Sequence, residues 1–469
     1  MTIRKFVLPT VSAAALVAMG AVGVTAANAL GDSEQARHGS GHGHAAQPVS
    51  AELPVDEAPS GTVTYLAASL QGRNEVPAAD GSAVGDRDGR AHAVLRIQGD
   101  RVWYALRWQN IAAPTAGHIH LGARGVNGAV KVPFFAGTLP GSARAVAGSV
   151  QVTDKETLKQ IKDNANGFYA NLHTADFPGG AVRGQLHRLN RPADLNGVLR
   201  GSSAATLQAL GDGAQEVPAK DGKATGDPDG RSTAFARSHD GMVSWGFTWS
   251  AVSPPTLGHI HRGARGANGP VAADLFAAPQ GLPATVTGLA GMTPVKHGVA
   301  SQIMRRPADF YTNLHTAEFP GGAVRGQLAP ASGAAVRASL KPVLQGAQVY
   351  RCTLQADGTF AFTQDNVRAV LEDGIAHTFV QPGPQGPPQW VAPDRSAVTG
   401  KAVARTPNGA ANIPELVLDA TKSGADKGLF SGTQQILRLN TIGGVAPKGT
   451  CAPSSLAKVP YKADYLFLD

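Results

Sequence analysis

Six histidines lie in two copies of one repeated sequence, and their spacing could allow the three histidines of each copy to bind one metal ion. The sequence GHIHLGARGVNGAV begins at Gly117, and GHIHRGARGANGPV begins at Gly258. Each is followed by a second shared block, NLHTADFPGGAVRGQL from Asn171 and NLHTAEFPGGAVRGQL from Asn313. Residues i and i+2 of a β-strand share a face, and a third histidine from another strand could complete an open metal site. The candidate ligands are His118, His120 and His173 in the first copy, and His259, His261 and His315 in the second.

Two interpretations of these histidines stay open at the level of sequence. Imidazole ligands outside the cell suit copper or zinc, so either metal is the candidate cofactor. Alternatively, the rings hydrogen-bond to the backbone or to the matched Asn171 and Asn313, and so hold loops in place. Duplication does not separate the two interpretations, because a contact that the fold requires is duplicated as well.

The repeat extends well beyond the histidine blocks. Glu75-Val76-Pro77 recurs as Glu216-Val217-Pro218, 141 positions later. The matched segments predict one module at residues 61–190 and a second at 199–331, each long enough for its own core. Asp86-x-Asp88-Gly89 is also repeated, but the further oxygen ligands of a calcium loop are missing, so a tight turn is favoured.

Short alternating segments predict an all-β fold. Residues 91–97 and 102–108 alternate between apolar and polar types, and residues 148–152 and 181–186 have a similar pattern. This spacing predicts two tandem β-sandwich domains of Greek-key type, followed by a mostly-β C-terminal domain at residues 335–469. One helix is expected in the first module, where Thr153-x-x-Glu156 has the pattern of a capping box.

The N-terminus has the features of a secretory signal. Arg4 and Lys5 precede an apolar run, and Ala27-Asn28-Ala29 fits a signal peptidase site, so residues 1–29 are predicted to be cleaved after Ala29. Residues 30–60 then form a disordered His/Gly-rich linker that contains His38, His42 and His44. No later segment is long and apolar enough for a membrane span, so the mature chain is expected to be exported.

Charge and cysteine content narrow the function classes. The net charge of +8 is spread along the chain without a basic cluster, which argues against nucleic acid as a partner. An extracellular ligand or a cell-surface polymer remains the expected partner class. Cys352 and Cys451 are the two cysteines, and in an exported chain they predict a disulfide.

Few residues suggest catalysis. His377, Asp394 and Asp464 could belong to a hydrolytic site, but no nucleophile lies in a recognisable elbow. Trp390 lies among prolines and glycines, where it could line a groove or pack on a loop surface. Arg183 and Arg325 could anchor an acidic ligand or pair within their own modules.

Both modules resemble the CHRD domain, which is named after chordin and occurs in many secreted bacterial proteins. The resemblance rests on the GHIH block, the NLHTA-[DE]-FPGGAVRGQL block and the upstream Glu-Val-Pro turn, and it covers both modules. The C-terminal segment resembles a secreted domain family of unknown function. These resemblances imply an extracellular β protein. Two function classes stay open: a secreted non-enzymatic protein with a binding or structural role, and alternatively a metal-binding protein, with redox activity as one option, that uses the two histidine sets.

Overall fold

The computed structural model describes residues 61–201, 206–218, 220–239, 241–331, 337–383 and 386–469. The predicted signal sequence and the His-rich linker lie outside the described residues. Strands dominate the described part of the chain, which confirms the all-β prediction.

The first repeat consists of nine strands and one helix. The strands are β1 Thr64–Gln71, β2 Arg90–Gln98, β3 Arg101–Gln109, β4 Pro114–Leu121, β5 Val130–Ala136, β6 Ala143–Gln151, β7 Phe168–Thr174, β8 Val182–Gln185 and β9 His187–Arg188. Helix α1, Lys155–Asp163, is the expected one, but its N-cap is Asp154 rather than Thr153, because the Asp154 carboxylate accepts the Thr157 amide hydrogen bond. A short helix α2, Leu195–Arg200, follows the repeat.

The second repeat has the same order of elements. Its strands are β10 Leu207–Asp212, β11 Arg231–His239, β12 Met242–Ser250, β13 Leu257–Arg262, β14 Val271–Ala277, β15 Val286–Pro294, β16 Phe310–His315, β17 Val324–Gln327 and β18 Ala329–Pro330. Helix α3, Val299–Arg305, lies between β15 and β16, as α1 lies between β6 and β7.

Each repeat is a sandwich of two antiparallel layers. In the first repeat the strands pair in the order β5-β4-β7-β8-β1-β2-β3-β6, so that β8 and β1 join the two layers. The layers face each other across one core, in which the Tyr104 ring on β3 stacks on Phe134 of β5 at 4.7 Å. The second repeat has the corresponding order β14-β13-β16-β17-β10-β11-β12-β15.

Strands β6 and β15 pair with each other and join the two sandwiches edge to edge. Glycine is required on both sides of this junction because the backbones approach closely. A Cβ atom at Gly148 would lie 1.9 Å from the Thr285 carbonyl oxygen, and one at Gly291 would lie 2.2 Å from the Ser142 carbonyl oxygen. The pairing covers one of the two edge strands of each sandwich, β6 in the first and β15 in the second.

The C-terminal strands form a closed eight-stranded barrel. They are β19 Ala338–Leu354, β20 Phe360–Leu371, β21 Ala376–Phe379, β22 Pro388–Val391, β23 Ala397–Thr406, β24 Glu415–Lys422, β25 Gln435–Gly443 and β26 Leu456–Leu468. Each strand pairs with the next, and β26 pairs with β19 to close the ring. Cys352 at the end of β19 forms the predicted disulfide with Cys451.

The barrel packs against the outer face of the first sandwich. Apolar side chains from β1, β2 and β3 meet α2 and the barrel wall in one buried cluster, which includes Val94, Leu199 and Leu466. Strand β2 is therefore buried on both faces, although its alternating sequence predicts one solvated face. Among the described residues, no helix has the length and apolar character needed to cross a membrane.

Candidate metal centres

Strand β4 presents His118 and His120 on one face, as the His-x-His spacing predicts. Strand β7 pairs with β4 along its length, with His118 opposite Asn171 and His120 opposite Tyr169. His173, two residues after Asn171, therefore lies on the same face as the His-x-His pair. The structure brings all three predicted side chains of the first repeat together.

The three rings converge closely enough to share one ion. One nitrogen from each of His118, His120 and His173 lies within 4.8 Å of the others. His118 Nδ1 is 3.2 Å from His173 Nε2. The ring centroids of His118 and His120 are 5.5 Å apart, so the imidazoles meet at angles rather than in a packed stack. Three imidazoles with room for a further ligand match an open copper or zinc site.

Backbone carbonyls orient the rings of His120 and His173, and so they determine which nitrogen of each ring faces the cluster. His120 Nδ1 is 3.0 Å from the Gly128 carbonyl oxygen, and His173 Nδ1 is 2.9 Å from that of Pro178. A carbonyl oxygen only accepts hydrogen bonds, so both Nδ1 atoms carry the proton and both Nε2 atoms keep a lone pair. His173 Nε2 lies at hydrogen-bond distance from His118 Nδ1, whereas none of the described residues hydrogen-bonds His120 Nε2, which is buried. The structural interpretation thus holds for both Nδ1 atoms and for the contact between His118 and His173, and it leaves His120 Nε2 available to a metal ion.

The second repeat reproduces this arrangement. His259 Nδ1 lies 3.1 Å from His315 Nε2, and the three candidate nitrogens again lie within 4.8 Å of one another. The Nδ1 atoms of His261 and His315 lie 2.9 Å and 3.0 Å from the carbonyl oxygens of Gly269 and Pro320. His261 Nε2, like His120 Nε2, is buried and has no hydrogen-bond partner among the described residues.

Burial keeps the clustered imidazoles neutral. Burial, followed by the neighbouring imidazoles of His173 and His120, lowers the pKa of His118 to about 4. Burial and the His315 and His261 rings lower the pKa of His259 to about 4 as well. Burial also lowers the pKa of the other four rings. Neutral imidazole is the form that binds a metal ion, so the rings are ready for coordination at neutral pH.

A stack of side chains behind each cluster fixes the His-x-His strand and its loop. The Tyr169 ring stacks on His120 at 4.9 Å, and the Arg183 guanidinium lies 3.4 Å from the centre of the Tyr169 ring. Arg183 also donates hydrogen bonds to the carbonyls of Ala123 and Val126, within the loop that carries Gly128. Arg183 therefore pairs within its own module, and it supports the carbonyl that orients His120. Tyr311 and Arg325 form the same stack in the second repeat.

Asn171 and Asn313 contact glutamates rather than histidines. Asn313 Nδ2 donates to Glu216 Oε1 at 2.8 Å, and Asn171 Nδ2 lies 3.4 Å from Glu75 Oε2. Burial raises the pKa of Glu75 and that of Glu216 to about 8, although the nearby arginine of each repeat lowers it. Sequence reasoning missed the role of these glutamates and of the stacked tyrosines. Their presence at matched positions of both copies was the signal that could have found them.

The CHRD domain family matches residues 66–186 and again residues 207–328, which together make up just over half of the chain. The chain belongs to the CHRD-domain family. A family described as a protein of unknown function (DUF3455) matches residues 374–469, within the barrel. No curated protein matches the chain.

The other candidate residues named in the sequence analysis make structural contacts. At Asp86-x-Asp88-Gly89, the Gly89 amide donates to the Asp86 carbonyl, as expected for a tight turn. In the barrel, His377 is buried between the Gln389 carbonyl and the Tyr465 hydroxyl. Trp390 stacks on His377 at 4.3 Å and is 1% exposed, so it belongs to the core, and both sequence expectations for it are wrong.

Asp394 and Asp464 do not join His377 in a hydrolytic arrangement. Asp394 accepts hydrogen bonds from the amides of Ser396 and Leu429 and holds a loop. Asp464 bonds Ser69 of the first CHRD repeat. His377, Asp394 and Asp464 therefore each contact different residues, and each contact is structural.

Proposed function

We propose that this CHRD protein binds copper or zinc, with one ion in each repeat. The ligands are His118, His120 and His173 in the first repeat and their three counterparts in the second. The observation that carries the proposal is the buried Nε2 of His120 and of His261, which faces two other imidazoles and has no hydrogen-bond partner in the part of the chain that the structure describes. A buried polar atom without a partner is costly, and a bound ion would offset that cost.

The ligand geometry supports a metal site with an open coordination position. In each repeat, backbone carbonyls orient two imidazoles from outside the cluster, as is usual around metal-ligating histidines. Three protein nitrogens leave a coordination position for water or for an external ligand. The extracellular binding role that the CHRD family suggests is compatible with such a site, and so is the predicted export signal. The disulfide is also typical of an exported chain.

The proposal is tested by the metal content of the purified, exported chain. After equilibration with Cu²⁺ or Zn²⁺ and removal of excess ions, we expect close to two ions per chain. His120→Ala and His261→Ala should each remove one ion, and the double variant should remove both. His297→Ala is the matched control, because His297 is exposed on a loop outside both clusters, and it should keep both ions.

Two outcomes would refute the metal function. The first is negligible metal in the wild-type chain after equilibration. The second is metal that is lost only when His38, His42 and His44 are deleted, which would assign binding to the N-terminal His-rich segment. In either case the clustered histidines would be structural.

A further inference from the structure

The two histidine clusters differ in one contact. Strand β5 places Pro133 opposite His118 in the first repeat, whereas β14 places Asp274 opposite His259 at the matching position of the second. The Asp274 carboxylate oxygen Oδ1 lies 3.6 Å from His259 Nε2. Proline has no side-chain acceptor, so His118 cannot receive the same contact from that position.

This contact concerns His259, the ring of the second cluster whose Nδ1 faces another histidine instead of a backbone carbonyl. His259 Nδ1 faces His315 Nε2, while His259 Nε2 faces Asp274. His315 Nε2 keeps a lone pair, so His259 Nδ1 donates to it in the metal-free cluster, whereas a bound ion requires the His259 tautomer with the proton on Nε2. A carboxylate beside Nε2 favours that second tautomer, and so it favours the Nδ1 lone pair that the ion needs. With His261 and His315 held by carbonyls, all three rings of the second repeat are then oriented for a metal ion. In the first repeat the carbonyls orient His120 and His173 alone.

We infer that the second site binds its ion more tightly than the first, and that Asp274 is the positioning residue responsible. This inference rests on the proposed metal function. Carboxylate partners of metal-ligating histidines typically change affinity by about 10- to 100-fold. The Asp274 side chain is 86% exposed, so solvent screens its charge, and we expect a difference near the lower limit of about 10-fold.

The surroundings of Asp274 indicate that it acts on metal binding by orienting His259 more than by adding negative charge. Asp274 and His259 line an open cavity of about 530 Å³, and Arg144 of the first repeat lines it too. The Arg144 guanidinium donates to the carbonyls of Gly141 and Ala143, so its positive charge stays at this cavity. Arg144 thus brings a positive charge to the cavity that Asp274 lines, whereas the tautomer preference of His259 depends on its own contact with the Asp274 carboxylate.

The test compares single-site proteins in competition with a chromophoric chelator, with Cu²⁺ as the probe. His120→Ala leaves the second site and His261→Ala leaves the first, and the dissociation constant should be about 10-fold lower for the second site. In the His120→Ala background, Asp274→Ala should raise the constant to that of the first site, and Asp274→Glu should restore tight binding. In the His261→Ala background, Pro133→Asp should tighten binding by the first site.

Controls separate positioning from loss of structure. The Cu²⁺ paramagnetic resonance spectrum of the second site should change with Asp274→Ala, while the melting temperature of the metal-free chain should not. Asp426→Ala removes an equivalent exposed carboxylate from the barrel and should change neither. Equal affinities for the two sites, or no effect of Asp274→Ala, would overturn this inference alone. Failure of both single-site proteins to bind Cu²⁺ would overturn the proposed function as well.

Discussion

At the scale of single residues, the clusters show how hydrogen bonds can divide the two nitrogens of a histidine between two tasks. Nδ1 of His120 and of His173 contacts a loop carbonyl, and Nε2 of each ring faces the cluster. The loop that carries Gly128 is held in turn by Arg183, which donates hydrogen bonds to the carbonyls of Ala123 and Val126. A substitution of Arg183 should therefore act on the metal site through the loop rather than through the ion.

The partly buried glutamates beside these clusters should make stability depend on pH. Burial raises the pKa of Glu75 and of Glu216 from 4.5 to about 8, so the folded chain holds protons that the unfolded chain releases. Their contribution is fully present below about pH 4.5 and is lost as pH rises through about 8. We expect Glu75→Gln with Glu216→Gln to reduce the fall in stability over this range.

Urea unfolding at about pH 5 and about pH 8, with a chelator present, checks this prediction. The chelator removes any effect of bound metal on the unfolding free energy. The wild-type chain should lose more stability between the two pH values than the double variant does. Identical pH dependence in both proteins would contradict the assignment of protons to Glu75 and Glu216.

At the scale of elements, strand pairing and one covalent link hold the barrel closed at the end of β19. The β19–β26 ladder pairs Arg351 with Leu456, and the Cys352 amide donates to the Ser455 carbonyl. The disulfide joins Cys352 to Cys451 beside this ladder, across a sequence separation of 99 residues. The bond therefore restrains a long loop in the unfolded chain at a place where the folded chain is already paired.

Removal of this disulfide should lower stability without changing the fold. In the chain-entropy account, a loop of this length corresponds to about 4–5 kcal/mol. We expect Cys352→Ser with Cys451→Ser to lose about that free energy of unfolding, measured with denaturant. The wild-type chain under a reducing agent is the control and should show a similar loss. An unchanged unfolding midpoint in the double variant would contradict the prediction.

At the scale of the whole molecule, a buried polar network docks the barrel on the first CHRD repeat. The Asp464 carboxylate accepts hydrogen bonds from Ser69 Oγ and Asn440 Nδ2, each at 2.9 Å, and from Gln71 Nε2. Asp464 is 2% exposed, and the apolar cluster between sandwich and barrel surrounds this region. Glu415 adds contacts to Arg124 and His187 of the same repeat.

Loss of the Asp464 carboxylate should weaken this docking. Asp464→Ala leaves the Gln71 amide buried without its acceptor, which typically costs about 1–3 kcal/mol. We expect lower stability to denaturant and faster hydrogen exchange in both β1 and β26. Asp426→Ala, at an exposed pair with Lys422, should leave stability almost unchanged, because solvent screens such pairs. Equal stability of the two variants would show that the Asp464 network does not hold the interface.

Local sequence patterns determined the strands, the shared face of the histidines and the disulfide of this protein. The alternation at residues 91–97 and 102–108 predicts strands that the structure places in β2 and β3. The His-x-His spacing predicts the shared face on β4 and β13, because the two-residue period of a strand is a local property. The isolation of Cys352 and Cys451 in the sequence likewise predicts their bond.

Tertiary contacts decided the rest, because they depend on segments far apart in the chain. The proton positions on His120 and His173 follow from carbonyls that loop closure brings to them. Burial of β2 on both faces follows from docking of the barrel, and the core position of Trp390 follows from closure of the barrel. The sequence shows that Pro133 and Asp274 differ at matched positions of the two repeats. Only the strand register shows that each of these residues lies opposite a histidine of its cluster.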